Sequence, residues 1–335
     1  MFSLISAIVG AFIGAGFASG KELASFFVVF GRWGLVGIVL MAILFAVGGW
    51  FVLWLCAKLD VDSYEALLKA VLPPFWAKGF TVLISVALWL GLGLMLVGCA
   101  TLGTLLWDWP RGVGFALALV GTYAPLRLGK SGFLQVGSYL VPIMLAFAVV
   151  MAMTFLRQAS SCAVMATLLP NWYTSATLYW LYNNLLVMAV LISLRKQRGI
   201  YGAVGISAVF IGGLALLLSQ CLLRLPVSLL QSPMPLLSVA HRLNGFWGTG
   251  YGLVMLLAMY TTALANCYSL LNNYSPYVAR RQTLLCLILL PTILFGAFDF
   301  GKLVNTIYPL LGYISGPIMV ALLVKAVKLL SGGRL

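Results

Sequence analysis

Two adjacent ionisable residues, Lys21 and Glu22, lie inside the first apolar stretch, directly after a glycine-rich run. Ionisable groups at this depth in a membrane helix are costly, so they normally face a cavity or a partner. Neighbouring helix positions point about 100° apart, so the two side chains should find separate partners. Glu22 is the one carboxylate clearly inside an apolar segment, and we predict that it is a substrate or proton partner.

Four glycines, Gly10, Gly14, Gly16 and Gly20, precede this pair within eleven residues. One interpretation is a close-packed helix that places small residues every four positions. The other is a discontinuous helix whose freed amides and carbonyls line a polar site. The charged pair that follows favours the second interpretation.

Two further polar groups interrupt later apolar stretches. Tyr182-Asn183-Asn184 could replace backbone partners at an unwound point, or it could join helices through side-chain hydrogen bonds. Thr261-Thr262 could coordinate a hard monovalent cation with nearby carbonyls, or the hydroxyls could bond their own helix. Amides at the first break, opposite carbonyls and amides at the second, would suit a zwitterion or a carboxylate.

The composition places these groups in a membrane. Of the 335 residues, 63% are hydrophobic and 8% are charged, whereas a soluble domain carries roughly 25% charged residues. The apolar stretches approach the roughly 20 residues that a spanning helix needs, and they lack the alternation of barrel strands. One histidine and six scattered cysteines predict no metal cluster or cofactor. The net charge of +14 lies in short connections, which does not indicate nucleic acid.

We predict an all-α polytopic protein with ten transmembrane helices and one surface helix. In the connection 58–75, Asp62 and Glu65 are spaced as a capping box before a short amphipathic helix. The first 20 residues lack a basic n-region, so they are expected to form a span and not a cleaved signal. The predicted spans are 3–30, 34–57, 77–106, 112–127, 131–156, 173–194, 201–223, 245–271, 281–298 and 304–329.

The order of the spans predicts an inverted repeat within one membrane domain, residues 1–335. The breaks near residues 16 and 183 lie about 167 positions apart, and spans 3 and 8 and spans 5 and 10 have a similar offset. Repeating five spans after an odd number of crossings inverts the second set, so residues 1–156 and 173–329 should be opposed repeats. Thirteen basic residues lie on the side of the termini and six on the other, with one more in a span, which predicts cytoplasmic termini.

The segment from Gly14 to Glu22, followed by Phe26-Phe27 and residues 30–34, resembles the opening signature of the YkvI-type family of predicted amino-acid permeases. These small bacterial membrane proteins are grouped with the amino acid–polyamine–organocation superfamily, which has the LeuT-type fold. The family usually has Gln at the position of Lys21, so this chain departs from it there.

The resemblance implies a LeuT-like 5+5 repeat with helices 1 and 6 broken and the substrate between the breaks. Gly14-Ala15-Gly16 resembles the glycine motif that receives a substrate carboxylate. Thr261 and Thr262 resemble the hydroxyl pair of a sodium site completed by carbonyls around Ala11 and Gly14. Span 5 lacks the interior Lys of some proton-coupled relatives, which favours sodium or no coupling at that point. The expected substrate site comprises Gly14, Ala15, Gly16, Phe17, Ser19, Glu22, Tyr182, Asn183 and Asn184.

The expected function is secondary active transport of a small amino acid or related zwitterion by alternating access, coupled to sodium or protons, in the bacterial cytoplasmic membrane. The alternative is a non-transporting sensor or assembly partner that uses the same pocket. An enzyme is not expected, because no carboxylate or histidine cluster and no nucleophile–base pair is visible. A passive channel is also possible, but the sequence shows no repeated filter motif.

Overall fold

A computed structural model describes residues 1–158, 171–232, 234–298 and 315–329. The described residues form fifteen α-helices and no β-strand. The helices of the first half are α1 (Phe2–Phe12), α2 (Ala15–Ser19), α3 (Lys21–Phe26), α4 (Arg32–Leu59), α5 (Tyr64–Val71), α6 (Pro74–Trp107), α7 (Arg111–Leu126) and α8 (Lys130–Gln158).

The second half also combines long and short helices. Its helices are α9 (Trp172–Leu194), α10 (Ile200–Leu222), α11 (Val227–Leu230), α12 (Pro235–Leu243), α13 (Gly245–Tyr274), α14 (Arg281–Leu289) and α15 (315–329). A 3₁₀ segment, Leu290–Ala297, continues α14. Residues 299–314, including Asp299 and the start of the predicted tenth span, lie outside the described residues.

Each predicted span is mostly helical where the structure describes it, and the chain is a helical membrane protein. By length and composition, α4, α6, α8, α10 and α13 can each cross a membrane. Among the residues the structure describes, the two parts of α9 make a sixth candidate span if they are counted together. The ten-span count stays a prediction, because α1 and α14 are short apolar helices.

The centre of the molecule is the pair α6 and α13. In their most apolar windows 67% and 78% of residues are buried inside the protein, against 39% or less in α4 and α8. The first helix, α1, packs against α8, α9, α10 and α13. The segment with the broken glycine run is therefore enclosed by other helices and not by lipid.

One face of α4 is apolar and exposed. Val36, Val39, Ile43, Val47 and Trp50 recur every three or four residues and are each more than 40% exposed. This spacing forms a single helical stripe. A long exposed apolar stripe is the surface expected to contact lipid chains.

The surface helix α5 forms as predicted, but its N-cap differs. Ser63, and not Asp62, is the N-cap residue, and its hydroxyl accepts from the Ala66 N–H at 3.1 Å. The predicted capping box with Asp62 was wrong. The reason is that the Asp62 carboxylate bonds instead to Arg195 and Lys196 at the end of α9.

A charged cluster joins α5 to the neighbouring helix ends. Arg195 contacts both Asp60, at 2.5 Å, and Asp62, while Lys196 lies 2.5 Å from Asp62. Burial opposes ionisation of Asp62, but hydrogen bonds from Lys196 and Arg195 outweigh it and lower the pKa. Glu65 also has a lowered pKa, since hydrogen bonds led by that of Lys69 outweigh its burial.

The short helices α11 and α12 were not predicted from the sequence. They lie between α10 and α13, and α12 buries Leu236, Val239 and Ala240 on one face. Gly20 is in the left-handed region, with φ of 80°, and a methyl group added there would lie 2.5 Å from Leu236 Cγ. Gly20 therefore lets α12 pack directly on the junction of α2 and α3.

Candidate functional site

The first apolar segment leaves the helical conformation at Ile13 and Gly14. Ile13 has φ −80° and ψ 82°, close to an inverse γ-turn. The Gly14 N–H consequently donates to Phe12 O at 2.9 Å, two residues back, and not to Gly10 O. The carbonyl of Gly10 is thereby released from the α-helical pattern.

The released carbonyls meet a hydroxyl on α13. Thr262 Oγ1 lies 3.0 Å from each of three carbonyl oxygens, those of Gly10, Ile13 and Ala258. A hydroxyl has one hydrogen to donate, so this hydrogen cannot satisfy all three at once. The carbonyls at this point are those of Gly10 and Ile13, which adjoin the expected Ala11 and Gly14, and the sodium site stays a prediction.

Thr261 lies beside this group but bonds its own helix. Its hydroxyl donates to Ala258 O at 3.1 Å. A methyl group added to Gly10 would lie 3.3 Å from Thr261 Cβ and 3.0 Å from Val141 Cγ2 on α8. The two threonines, the break and an apolar residue of α8 thus converge on one buried point.

Glu22 is buried, 6% exposed, and its Oε2 accepts from the Tyr179 hydroxyl of α9 at 2.9 Å. Gly16 provides the space for the carboxyl group, since a methyl group there would lie 1.9 Å from Glu22 Oε1. Residues 16 and 22 are therefore coupled by packing. The contact between Glu22 and Tyr179 also joins the two segments that carry the predicted breaks.

Lys21 points elsewhere, as the geometry of adjacent helix positions requires. Its Nζ donates to Gln231 O at 3.0 Å, after α11, in an exposed position. Ser19 is buried and donates to Gly16 O at 3.0 Å, within its own turn. Phe17 is buried in an edge-on contact with Phe12. The Ala15 backbone begins α2, and its side chain lies outside the described structure.

The predicted break at Tyr182-Asn183-Asn184 is a bend. The helix α9 continues through it, while its parts Trp172–Asn184 and Val187–Leu194 meet at 49°. Asn183 Nδ2 donates to Tyr179 O, one turn back, at 3.1 Å. Asn184 Nδ2 contacts Met319 Sδ at 3.3 Å, and the Tyr182 ring lies 5.4 Å from that of Tyr179.

Several contacts of this site were missed by sequence reasoning. Tyr179 was not among the predicted site residues, although it bonds Glu22. Ser175 donates to Phe26 O at 2.6 Å, and Tyr251 donates to Ala18 O at 2.9 Å. The available signal was a hydroxyl in an apolar helix, which does not reveal its partner.

The chain is a helical membrane protein whose fold is similar to that of LeuT-fold transporters. The fold is similar to that of Mhp1, a nucleobase-cation-symport-1 family transporter, in a closed conformation with bromovinylhydantoin bound. The TM-score is 0.68 at 14% identity, covering 94% of this chain and 76% of Mhp1. A manganese transporter of Eremococcus coleocola matches with a TM-score of 0.55 at 13% identity, over 96% of this chain and 76% of its own.

Sequence comparison leads to two proteins of Bacillus subtilis (strain 168). The chain is 28% identical to the uncharacterized protein YyaD over 323 residues, 94% of each chain. It is 26% identical to the uncharacterized membrane protein YkvI over 329 residues, 95% of this chain and 93% of YkvI. The predicted resemblance to YkvI-type proteins is thus confirmed along nearly the whole chain. No family model matches.

Proposed function

We propose that the protein is a secondary transporter that carries a small amino acid or related zwitterion by alternating access. In this proposal ten spans form two opposed repeats, 1–156 and 173–329, in a bacterial cytoplasmic membrane with both termini in the cytoplasm. Similarity to the fold of Mhp1, itself a transporter, supports the class. Helical structure at the described part of every predicted span supports the arrangement.

The single observation that carries the proposal is the group of three carbonyl oxygens around Thr262 Oγ1. The Thr261 hydroxyl donates to Ala258 O. The single hydrogen of Thr262 can serve only one more oxygen, so at least one of the freed carbonyls of Gly10 and Ile13 stays directed at the same small region. A hard cation coordinated by oxygen ligands would satisfy all of them. We propose Na⁺ as the coupling ion, held by Gly10 O, Ile13 O, Ala258 O and the hydroxyls of Thr261 and Thr262.

Protons are the alternative coupling ion. At the buried point beside Gly10, α8 contributes Val141, an apolar residue that cannot carry a proton or replace a cation. This favours sodium at Thr262. Glu22 remains the candidate proton carrier, because it is a buried carboxyl next to the break.

The substrate proposal rests on Glu22 and its surroundings. An ammonium group could bind the carboxyl that now accepts from Tyr179. Aromatic rings of Phe12, Phe26, Phe27 and Tyr182 lie 5.1–6.1 Å from the Tyr179 ring centroid, and such rings also attract a cation. Gly14, Gly16 and Ser19 would border the carboxylate end.

A manganese substrate, as named for the second structural neighbour, has less support here. Manganese prefers carboxylate, carbonyl and water ligands. Among the described residues, no three His, Cys, Asp or Glu side chains are grouped so that they could hold a metal ion. An organic zwitterion agrees better with one buried carboxyl and several aromatic rings.

A membrane sensor that binds the same ligand without turnover is the second candidate. The test is uptake and counterflow of radiolabelled amino acids in proteoliposomes with an imposed sodium or proton gradient. The proposal expects gradient-driven uptake that Glu22→Gln and Thr262→Val each reduce at least tenfold. Tight binding in detergent without counterflow would select the sensor, and unchanged uptake in both variants would contradict the site.

A further inference from the structure

Asn266 carries a buried polar atom that the proposed site has not used. Its side chain is 2% exposed, and its Nδ2 has no hydrogen-bond partner among the described residues. A buried amide donor without an acceptor loses its water hydrogen bonds and regains none, so such groups are rare in folded proteins.

Asn184 carries the complementary atom. Its side chain is 1% exposed, and its Oδ1 has no donor in the part of the chain that the structure describes. Its Nδ2 contacts Met319 Sδ at 3.3 Å. The amide orientation is fixed by that contact, because sulfur and the amide oxygen are both acceptors and would not bond each other. The orphan atom is therefore an acceptor.

The position of Asn266 follows from the break in the first segment. Thr262 and Met95 flank Gly14, since a methyl group on Gly14 would lie 3.7 Å from Met95 Cε and 3.8 Å from Thr262 Cγ2. Asn266 lies one turn from Thr262 on α13, and Gly91 lies one turn from Met95 on α6. A methyl group on Gly91 would lie 2.8 Å from Asn266 Nδ2. Asn266 is therefore one layer away from the break.

Asn184 lies on α9, five residues beyond Tyr179, or about 7.5 Å along a helix. The helix α9 contacts both α6 and α13. The helix that bonds Glu22 and packs on the helix pair with the orphan donor thus also carries an orphan acceptor.

We infer that Asn184 and Asn266 select the substrate, and that the substrate carries a neutral group with both a hydrogen-bond donor and an acceptor, such as a carboxamide. This inference rests on the proposed function. A carboxamide supplies the N–H that Asn184 Oδ1 requires and the C=O that Asn266 Nδ2 requires. If the substrate is a zwitterion, as proposed, it belongs to the amino acids with carboxamide side chains.

Chemical analogues of the carboxamide group should bind more weakly, because each leaves at least one of the two asparagine atoms unpaired. A carboxylate of the same shape offers no donor to Asn184, an ammonium offers no acceptor to Asn266, and an alkyl chain offers neither. A site built around buried polar groups rejects an analogue that leaves them unpaired. We expect each unpaired group to weaken binding by roughly tenfold.

The test is thermal unfolding of the purified full-length protein with matched probes. L-asparagine is compared with L-aspartate and L-leucine, and L-glutamine with L-glutamate and L-methionine. Uracil presents a ring donor–acceptor edge without a zwitterion. We expect the rise in melting temperature with a carboxamide or uracil to reach half of its maximum at a low concentration. That concentration should be at least about tenfold below the one needed with the matched acidic and alkyl amino acids. This preference should disappear in Asn266→Leu and persist in the control Asn272→Leu.

A second measurement separates substrate selection from a structural role. Because Asn266 Nδ2 is unsatisfied without ligand, Asn266→Leu should melt at the same or a higher temperature than the wild type when no probe is present. A structural amide would lower that temperature by several degrees, which would overturn the inference.

The outcomes also separate this inference from the proposed function. If uracil alone binds, and Asn266→Leu abolishes that binding, the inference about the donor–acceptor pair stands. The proposed amino-acid substrate is then contradicted. Equal binding of leucine, methionine and the carboxamides in the wild type would overturn the inference and leave zwitterion transport standing. An absence of any shift with the carboxamides and uracil would overturn it as well.

Discussion

The two segments that carry the predicted breaks depart from a straight helix in different ways. In the first, the helix stops at Phe12 and resumes at Ala15, and Thr262 of another helix contacts the freed carbonyls. In α9 the helix continues and bends by 49°, and Asn183 supports the bend by donating to its own helix. The first segment therefore offers backbone chemistry and the second offers side-chain chemistry.

The difference follows from the residues at each place. The glycines of the first segment leave space that other side chains fill, as Glu22 does at Gly16. The bent part of α9 instead carries Tyr179 and Tyr182, whose rings pack against each other, and Tyr179 also packs against Phe27. We therefore propose ion binding at the freed carbonyls and substrate recognition by the hydroxyl, amide and aromatic groups.

The largest effect is expected from Gly16→Ala, which removes the space that couples the two segments. The added methyl would lie 1.9 Å from Glu22 Oε1. Overpacking costs about 1–3 kcal/mol, and disturbing a buried hydrogen bond costs about 1–3 kcal/mol more. Thermal or denaturant unfolding should show a loss of several kcal/mol.

Gly79→Ala is the matched control, because no atom lies within 4 Å of the added methyl. It should be neutral or stabilising by up to about 1 kcal/mol, since alanine favours a helix interior over glycine. Equal effects of the two substitutions would contradict the coupling of Gly16 to Glu22.

A smaller loss is expected from Tyr179→Phe, which removes the side-chain donor from α9 to Glu22. Hydrogen bonds to charged groups contribute about 1.5–3 kcal/mol, against about 0.5–1.5 kcal/mol for neutral pairs. Tyr251→Phe, which removes a bond to the Ala18 carbonyl of similar length, is the comparison. The free energy of unfolding should fall more in Tyr179→Phe than in Tyr251→Phe. The reverse order would indicate that Glu22 is neutral.

The smallest effect concerns the charged cluster outside both segments. The lowered pKa of Asp62 means that its contribution to stability is present above the unfolded pKa, about 3.9, and is lost as pH falls through the folded value. The carboxyl is half exposed, so screening limits the contribution to about 0.5 kcal/mol. Melting from pH 7 to pH 3 should fall less steeply in Asp62→Asn than in the wild type. Parallel curves would exclude Asp62 as a source of the pH dependence.

The sequence predicted the helices better than their contacts. Apolar length predicted helical elements, because it is a local property of the chain. The interruption predicted near residue 16 lies close to the non-helical residues Ile13 and Gly14. The cap of α5 is also local, since the Ser63 hydroxyl accepts from Ala66 three residues on, but the prediction assigned it to Asp62. The partner of Lys21 lies 210 positions away, so no local pattern could supply it.

The central claim is that the break in the first segment and Thr262 form a sodium site. The direct measurement is melting of the purified protein in NaCl, with KCl at equal ionic strength as the reference, for wild type, Thr262→Val and Thr104→Val. Thr104 is a matched control whose hydroxyl contacts Ala100 O and Trp109 O, away from the break. We predict that sodium raises the melting temperature of the wild type and Thr104→Val in a saturable manner, and that Thr262→Val abolishes this response. Equal shifts in sodium and potassium, or a sodium response that survives in Thr262→Val, would contradict the account.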